Sequence, residues 1–199
     1  MFSRLLLTFK QVIKRTRHEH PKYEVETSFE GFELRKYSAG KWTSANIQDT
    51  GSPKQNGSNG FRMLFSYITG KTNEQKQSVS MTVPVLMQKT EDDNCKVSFY
   101  LPEANADRPP TPSDPNVFTD EMAPSMFYVR GFSPPNGDYS HFIDNKKEME
   151  EAMKLQGFVL KDDYKWIRAS YDAPFKLMNR HSEVWIAKDQ VNMKTDENK

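Results

Sequence analysis

Apolar and charged residues alternate along 23–37, most clearly in Phe32-Glu33-Leu34-Arg35-Lys36-Tyr37, and this period of two predicts strand. Ser38-Ala39-Gly40 reads as a turn and 41–47 as the next strand, so a hairpin is expected. Residues 50–60, rich in Gly, Ser and Asn, read as a polar loop. Phe61, Leu64, Phe65 and Ile68 then recur at i, i+3, i+4 and i+7, which predicts a helix near 58–69 with one apolar stripe, stopped by Gly70. Strands follow at 79–88 and 95–101. Pro84 inside the first of these implies a sheet edge or a bulge, because proline cannot donate to a ladder. Residues 102–115 hold five Pro and form a surface loop. A strand at 127–132 ends at Pro134-Pro135-Asn136-Gly137. A second helix is expected over 139–156, with Phe142, Met149, Ala152, Met153 and Leu155 as buried candidates. Strands at 166–171 and 183–188 close the pattern, and a polar tail from 189 is expected to be loose.

The order strand, helix, strand, strand therefore occurs twice, over about 32–101 and about 126–188, although the two halves share few identical residues. The expected fold is a single α+β domain over 23–188. It is a distorted barrel or curved antiparallel sheet carrying two helices, built from two strand–helix–strand–strand repeats. The competing reading is an α+β domain whose element order repeats by coincidence.

Composition narrows the function. The chain of 199 residues has 28 basic and 27 acidic side chains, a net charge of +1, which does not suggest a dedicated nucleic-acid binder. Thirteen Phe, eight Tyr and three Trp supply bulky core material. One cysteine, Cys95, excludes an internal disulfide and a Cys-rich zinc site, and points to a reducing, cytoplasmic setting. No apolar run approaches the roughly 20 residues of a membrane-spanning helix. Charge is concentrated at the start: residues 1–18 carry five basic side chains and no acid. Phe2, Leu5, Leu6, Phe9, Val12 and Ile13 fall on one helical face of a separate 1–22 segment. Three readings stand for it: a mitochondrial targeting sequence, a membrane-surface helix, or a terminal helix docked on its own domain.

Catalytic signatures are missing. The four histidines show no HxxxH or HExxH spacing, Gly57-Ser58-Asn59-Gly60 lacks the Lys-Ser/Thr of a phosphate loop, and no GxSxG occurs. Cys95 shares an apolar strand face with Val97, Phe99 and Leu101, which suits a buried inert thiol. Nothing in these residues argues for an enzyme. Met81-Thr82-Val83-Pro84-Val85, Tyr171-Asp172-Ala173-Pro174 and Asn179-Arg180-His181-Ser182-Glu183-Val184-Trp185 stand out, the last two as corner packing or the rim of a site.

These segments resemble the signature segments of the SOUL family of haem-binding proteins. Arg35-Lys36-Tyr37 with Lys41-Trp42, Ser66-Tyr67-Ile68-Thr69-Gly70-Lys71 and Phe127-Tyr128-Val129-Arg130 fall in the same order as in that family. The resemblance runs from about residue 23 to 188. It implies the same duplicated barrel, and soluble, non-catalytic binding of haem or another tetrapyrrole as a carrier or buffer. It places the macrocycle on a hydrophobic patch beside the first helix, here Phe61, Leu64, Phe65 and Ile68, with Arg62, Lys71 and Lys176 near the propionates. The bland alternative for each of the four apolar residues is core packing.

One departure bears on the metal. The branch of the family that the chain most resembles has a proposed axial His where this chain has Lys36. A protonated lysine does not ligate iron, and haem ligands are normally His, Cys, Met or Tyr. Tyr37 is the candidate ligand beside it, unless another residue takes over. The alternatives are haem held by its faces, or haem binding lost. The same branch is credited with a segment similar to short pro-death helices that dock on Bcl-2-type partners at mitochondria. Here the corresponding stretch is Met153-Lys154-Leu155-Gln156-Gly157-Phe158, with Phe158 in place of the expected Asp.

Overall fold

A computed structural model of the chain describes residues 18–173, 176 and 179–193. The amphipathic reading of residues 1–18 lies almost wholly outside the described residues. Strands β1 (Tyr23–Phe29), β2 (Phe32–Tyr37) and β3 (Gly40–Ile47) lead into helix α1 (Pro53–Ile68). Strands β4 (Val85–Lys89) and β5 (Cys95–Tyr100) follow, then a single helical turn, α2 (Glu103–Ala106). The second half runs through β6 (Val117–Met122), β7 (Ser125–Phe132), helix α3 (Ser140–Leu155), β8 (Phe158–Leu160), β9 (Trp166–Ser170), β10 (Ser182–Ala187) and β11 (Val191–Met193).

Nine strands form one curled antiparallel sheet in the order β1-β2-β7-β10-β9-β4-β5-β3-β6. The duplication predicted from element order is visible in this topology. In each half the strand before the helix pairs with the last strand, which pairs with the middle one: β3-β5-β4 and β7-β10-β9. The two middle strands, β4 and β9, pair with each other and join the halves. The strand leading into each half pairs with the opposite half, β2 on β7 and β6 on β3. The expected hairpin at 38–40 is therefore replaced by a crossover. The real hairpin is β1–β2, turned at Gly31, whose φ of +89° suits glycine.

The alternation of side chains sorts the core into three parts. On the outer face α1 covers Ala45, Ile47, Met87, Val97 and Phe99 with Leu64, Tyr67 and Ile68. On the same face of the other half, α3 covers Leu34, Tyr128, Val184 and Ile186 with Phe142, Met149 and Met153. The inner face carries Tyr37, Trp42, Leu86, Phe127, Val129, Ala169 and Trp185.

Helix α1 begins five residues before the predicted start. Ser52 caps it, accepting from the Gln55 N–H at 3.4 Å, and Pro53 fits the first turn. The glycines that made 50–60 read as a loop are a packing device. A Cβ on Gly60 would lie 2.4 Å from Val97 Cγ2, so glycine lets the helix sit directly on β5. Asn56, 1% exposed, ties the helix start down by donating to Asp49 Oδ1 at 2.6 Å and Cys95 Sγ at 3.3 Å. Burial raises the Cys95 thiol pKa, aided by Asp49, which fits the inert thiol expected.

Other expectations are corrected. Of 79–88 only 85–88 is strand, within β4; Pro84 precedes the ladder, and β4 is central, not an edge. Leu155 is 87% exposed, since it points away from the face that buries Met149 and Met153. Pairing continues past 189, where β11 joins β8 in a two-stranded sheet. Residues ahead of β1 are also tied in: the Glu19 carbonyl accepts from Val83 N–H at 3.0 Å.

Candidate functional site

The predicted apolar stripe splits in two. Leu64 and Ile68, 0% and 4% exposed, belong to the core beneath α1. Phe65 is 45% exposed and half-buried Phe61 lies beside it, with ring centroids 5.8 Å apart and planes 14° from parallel. Phe61 is anchored edge-on to Phe99 in β5, at 5.3 Å, and Met63, Met81 and Val85 pack against the same cluster. One flank of α1 thus presents a pair of parallel aromatic faces backed by a rigid core.

Two of the predicted cations sit on α1 and in the turn that follows it. Arg62 lies three positions before Phe65, hence on the same side of the helix. It is exposed, and donates to Asn59 Oδ1 at 2.6 Å, with no carboxylate partner among the described residues. Lys71, in the turn after the helix, is also exposed and has no acid partner among the described residues. Lys176 lies in the loop between β9 and β10 and is already paired with Asp172 at 2.5 Å. Its predicted neighbours Pro174 and Phe175 lie outside the described residues.

Tyr37 is not part of this flank. Its side chain points to the inner face, whereas α1 covers the outer face. It is 1% exposed, packed on Trp185 and Tyr23 at 4.7 and 5.1 Å, and its hydroxyl accepts from Arg35 at 3.2 Å. Burial, reinforced by Glu183, raises its pKa well above 10 and holds it as the neutral phenol, the wrong form for an iron ligand. A macrocycle on α1 is separated from this oxygen by the sheet. Lys36 is exposed on β2. The residues present fit the apolar faces and carboxylates of a tetrapyrrole, and α1 offers no histidine for its metal.

A second cluster surrounds Glu183, 2% exposed on the inner face of β10. Arg35 Nη1 donates to one carboxylate oxygen at 2.9 Å, and His181 Nε2 lies 2.9 Å from the same atom. Tyr171 and the Trp185 indole donate to the other oxygen at 2.8 and 2.7 Å. Burial alone would raise this carboxyl, but the His181 hydrogen bond and the Arg35 charge outweigh it and bring the pKa to about 2. The nearest arginine in the chain is Arg180, three positions away. The fold supplies Arg35 from a strand 148 positions away. Every lone pair of Glu183 is used, so the cluster reads as a structural tie joining β2, β9 and β10.

The SOUL heme-binding protein family profile matches residues 18–187. The chain belongs to the SOUL heme-binding protein family. It is 32% identical over 181 residues to human "Heme-binding protein 2", covering 84% of this chain and 82% of that protein. The mouse heme-binding protein 2 is 30% identical over 182 residues, with the same coverage. Among solved structures, the EcmrR C-terminal domain superposes with a TM-score of 0.54 at 9% identity, covering 86% of this chain and 98% of that one. At that identity the likeness concerns the fold alone. The Bcl-2-directed reading of 153–158 meets a packing constraint: Met153 and Phe158, 1% and 5% exposed, are both committed to the core under α3.

Proposed function

We propose that this SOUL-family chain binds haem or a related tetrapyrrole without turning it over, with the macrocycle against the outer flank of α1. The observation that carries the reading is the Phe61–Phe65 pair. Two parallel rings, one of them 45% exposed, stand on a helix whose other side is fully packed. A flat apolar ring gains from covering them, at about 25 cal/mol per Å² of apolar surface removed from water, less the freedom lost on association. Arg62 and Lys71 supply positive charge for propionates, and neither is ion-paired among the described residues. The iron gains little, because the expected ligand position holds Lys36 and Tyr37 is buried on the other face. Haem and iron-free porphyrin are therefore expected to bind with similar affinity.

The test is a titration of wild type and Phe65→Asp with haem and with protoporphyrin IX, followed by absorbance and fluorescence. Phe65→Asp is expected to weaken both ligands at least tenfold with an unchanged circular dichroism spectrum. Binding that is untouched by Phe65→Asp would move the site off α1.

A further inference from the structure

The inner face of the sheet is apolar at its centre and turns polar where β3, β5 and β6 curl inward. A half-open cleft of about 370 Å³ lies there, within the size range of small-molecule sites. Trp42, Leu86, Phe127 and Ile167 supply its apolar lining. Trp42 is 3% exposed, and its indole N–H has no acceptor among the described residues.

The charges of the cleft do not balance. Three carboxylates line it, those of Glu91, Asp120 and Asp189, against the ammonium groups of Lys96 and Lys165; Glu121 touches it from β6, whose alternation turns its side chain to the other face with Lys41. Lys96 is bonded to Asp120 at 2.9 Å, and the Ser44 hydroxyl donates to the other oxygen of Asp120 at 2.9 Å. Glu91 and Asp189 are then set against Lys165 alone. This surface repels the dianion proposed for α1. An organic cation gains from the carboxylates and from the electron-rich faces of Trp42 and Phe127.

We propose that this cleft is a second binding site, for an aromatic or apolar organic cation, independent of the tetrapyrrole surface on α1. The sign of the cleft's charge selects the ligand, and its aromatic lining selects against small hydrated cations.

The probe is rhodamine 6G, a cation, compared with fluorescein, an anion on the same xanthene skeleton. Both are titrated with the full chain and followed by fluorescence anisotropy. Saturable micromolar binding of rhodamine 6G is expected, with fluorescein failing to saturate at the same concentrations. The double substitution Glu91→Gln and Asp189→Asn, at two exposed positions, should weaken rhodamine 6G about tenfold. That is about threefold per carboxylate, the scale of a water-screened charge pair near contact. The same variant should fold as wild type and bind protoporphyrin IX unchanged, which separates this site from α1. The proposal is overturned if rhodamine 6G does not saturate, if fluorescein binds equally well, or if the double variant binds rhodamine 6G like wild type.

Discussion

Replacing Glu183 by Gln removes one buried charge and leaves Arg35 facing an amide. The folded-state pKa of Glu183, about 2 against an ordinary 4.5, means that ionisation of this one group contributes about 3 kcal/mol to stability at neutral pH. Breaking a buried pair by removing one partner costs roughly 3–5 kcal/mol, so the two scales agree. The sign follows from the direction of the shift. The folded pKa is depressed, so the contribution is complete above pH 4.5 and is lost as pH falls from 4.5 towards 2. Urea unfolding of wild type and Glu183→Gln should differ by about 3 kcal/mol or more at pH 7, and Tm by about 6–12 °C. At pH 3 the charge-dependent part should shrink to about 1.4 kcal/mol. A difference below about 1 kcal/mol at pH 7, or one that is the same at pH 7 and pH 3, would refute the reasoning that this carboxylate is an ionised tie.

Two further outcomes follow from the packing. Gly60→Ala places a Cβ 2.4 Å from Val97 Cγ2, so overpacking should cost about 1–3 kcal/mol in urea unfolding despite alanine's better helix propensity, and a stabilised variant would contradict the packing of α1 on β5. Tyr37→Phe removes the acceptor of one Arg35 hydrogen bond and should cost about 1 kcal/mol while leaving the Soret spectrum of added haem unchanged; a changed Soret band would return Tyr37 to the iron.

The fold was legible where side-chain period and element order were strong. Both long helices and the duplicated order appear in the sequence because Leu64, Ile68, Met149 and Met153 keep helical spacing on one buried face. Strand pairing was not legible, because adjacency in sequence suggests a hairpin between β2 and β3. The structure instead exchanges the leading strands of the two halves, β2 to β7 and β6 to β3. The start of α1 was hidden by Gly57 and Gly60, whose role is close approach to β4 and β5 rather than flexibility. At the candidate site the i, i+3, i+4, i+7 stripe identified the right helix but could not separate its buried from its exposed half. Phe65 and Leu64 are neighbours in sequence and differ from 45% to 0% exposed. Tyr37 looked available because Lys36 beside it is charged, yet alternation turns the two side chains to opposite faces of β2. The segments around Tyr171 and His181–Trp185 stood out in the sequence, but the Glu183 cluster itself was hidden because its charge partner, Arg35, comes from β2, 148 positions away.

The central claim is that the outer flank of α1 binds the tetrapyrrole ring through its face and its propionates rather than through iron. Parallel titrations of the wild-type chain with haem and with protoporphyrin IX test it most directly. The account predicts saturable binding of both, with dissociation constants within a few-fold of each other and weakened alike by salt. It is contradicted if neither ligand saturates at micromolar concentration, or if haem alone binds tightly, which would require an iron ligand that α1 does not provide.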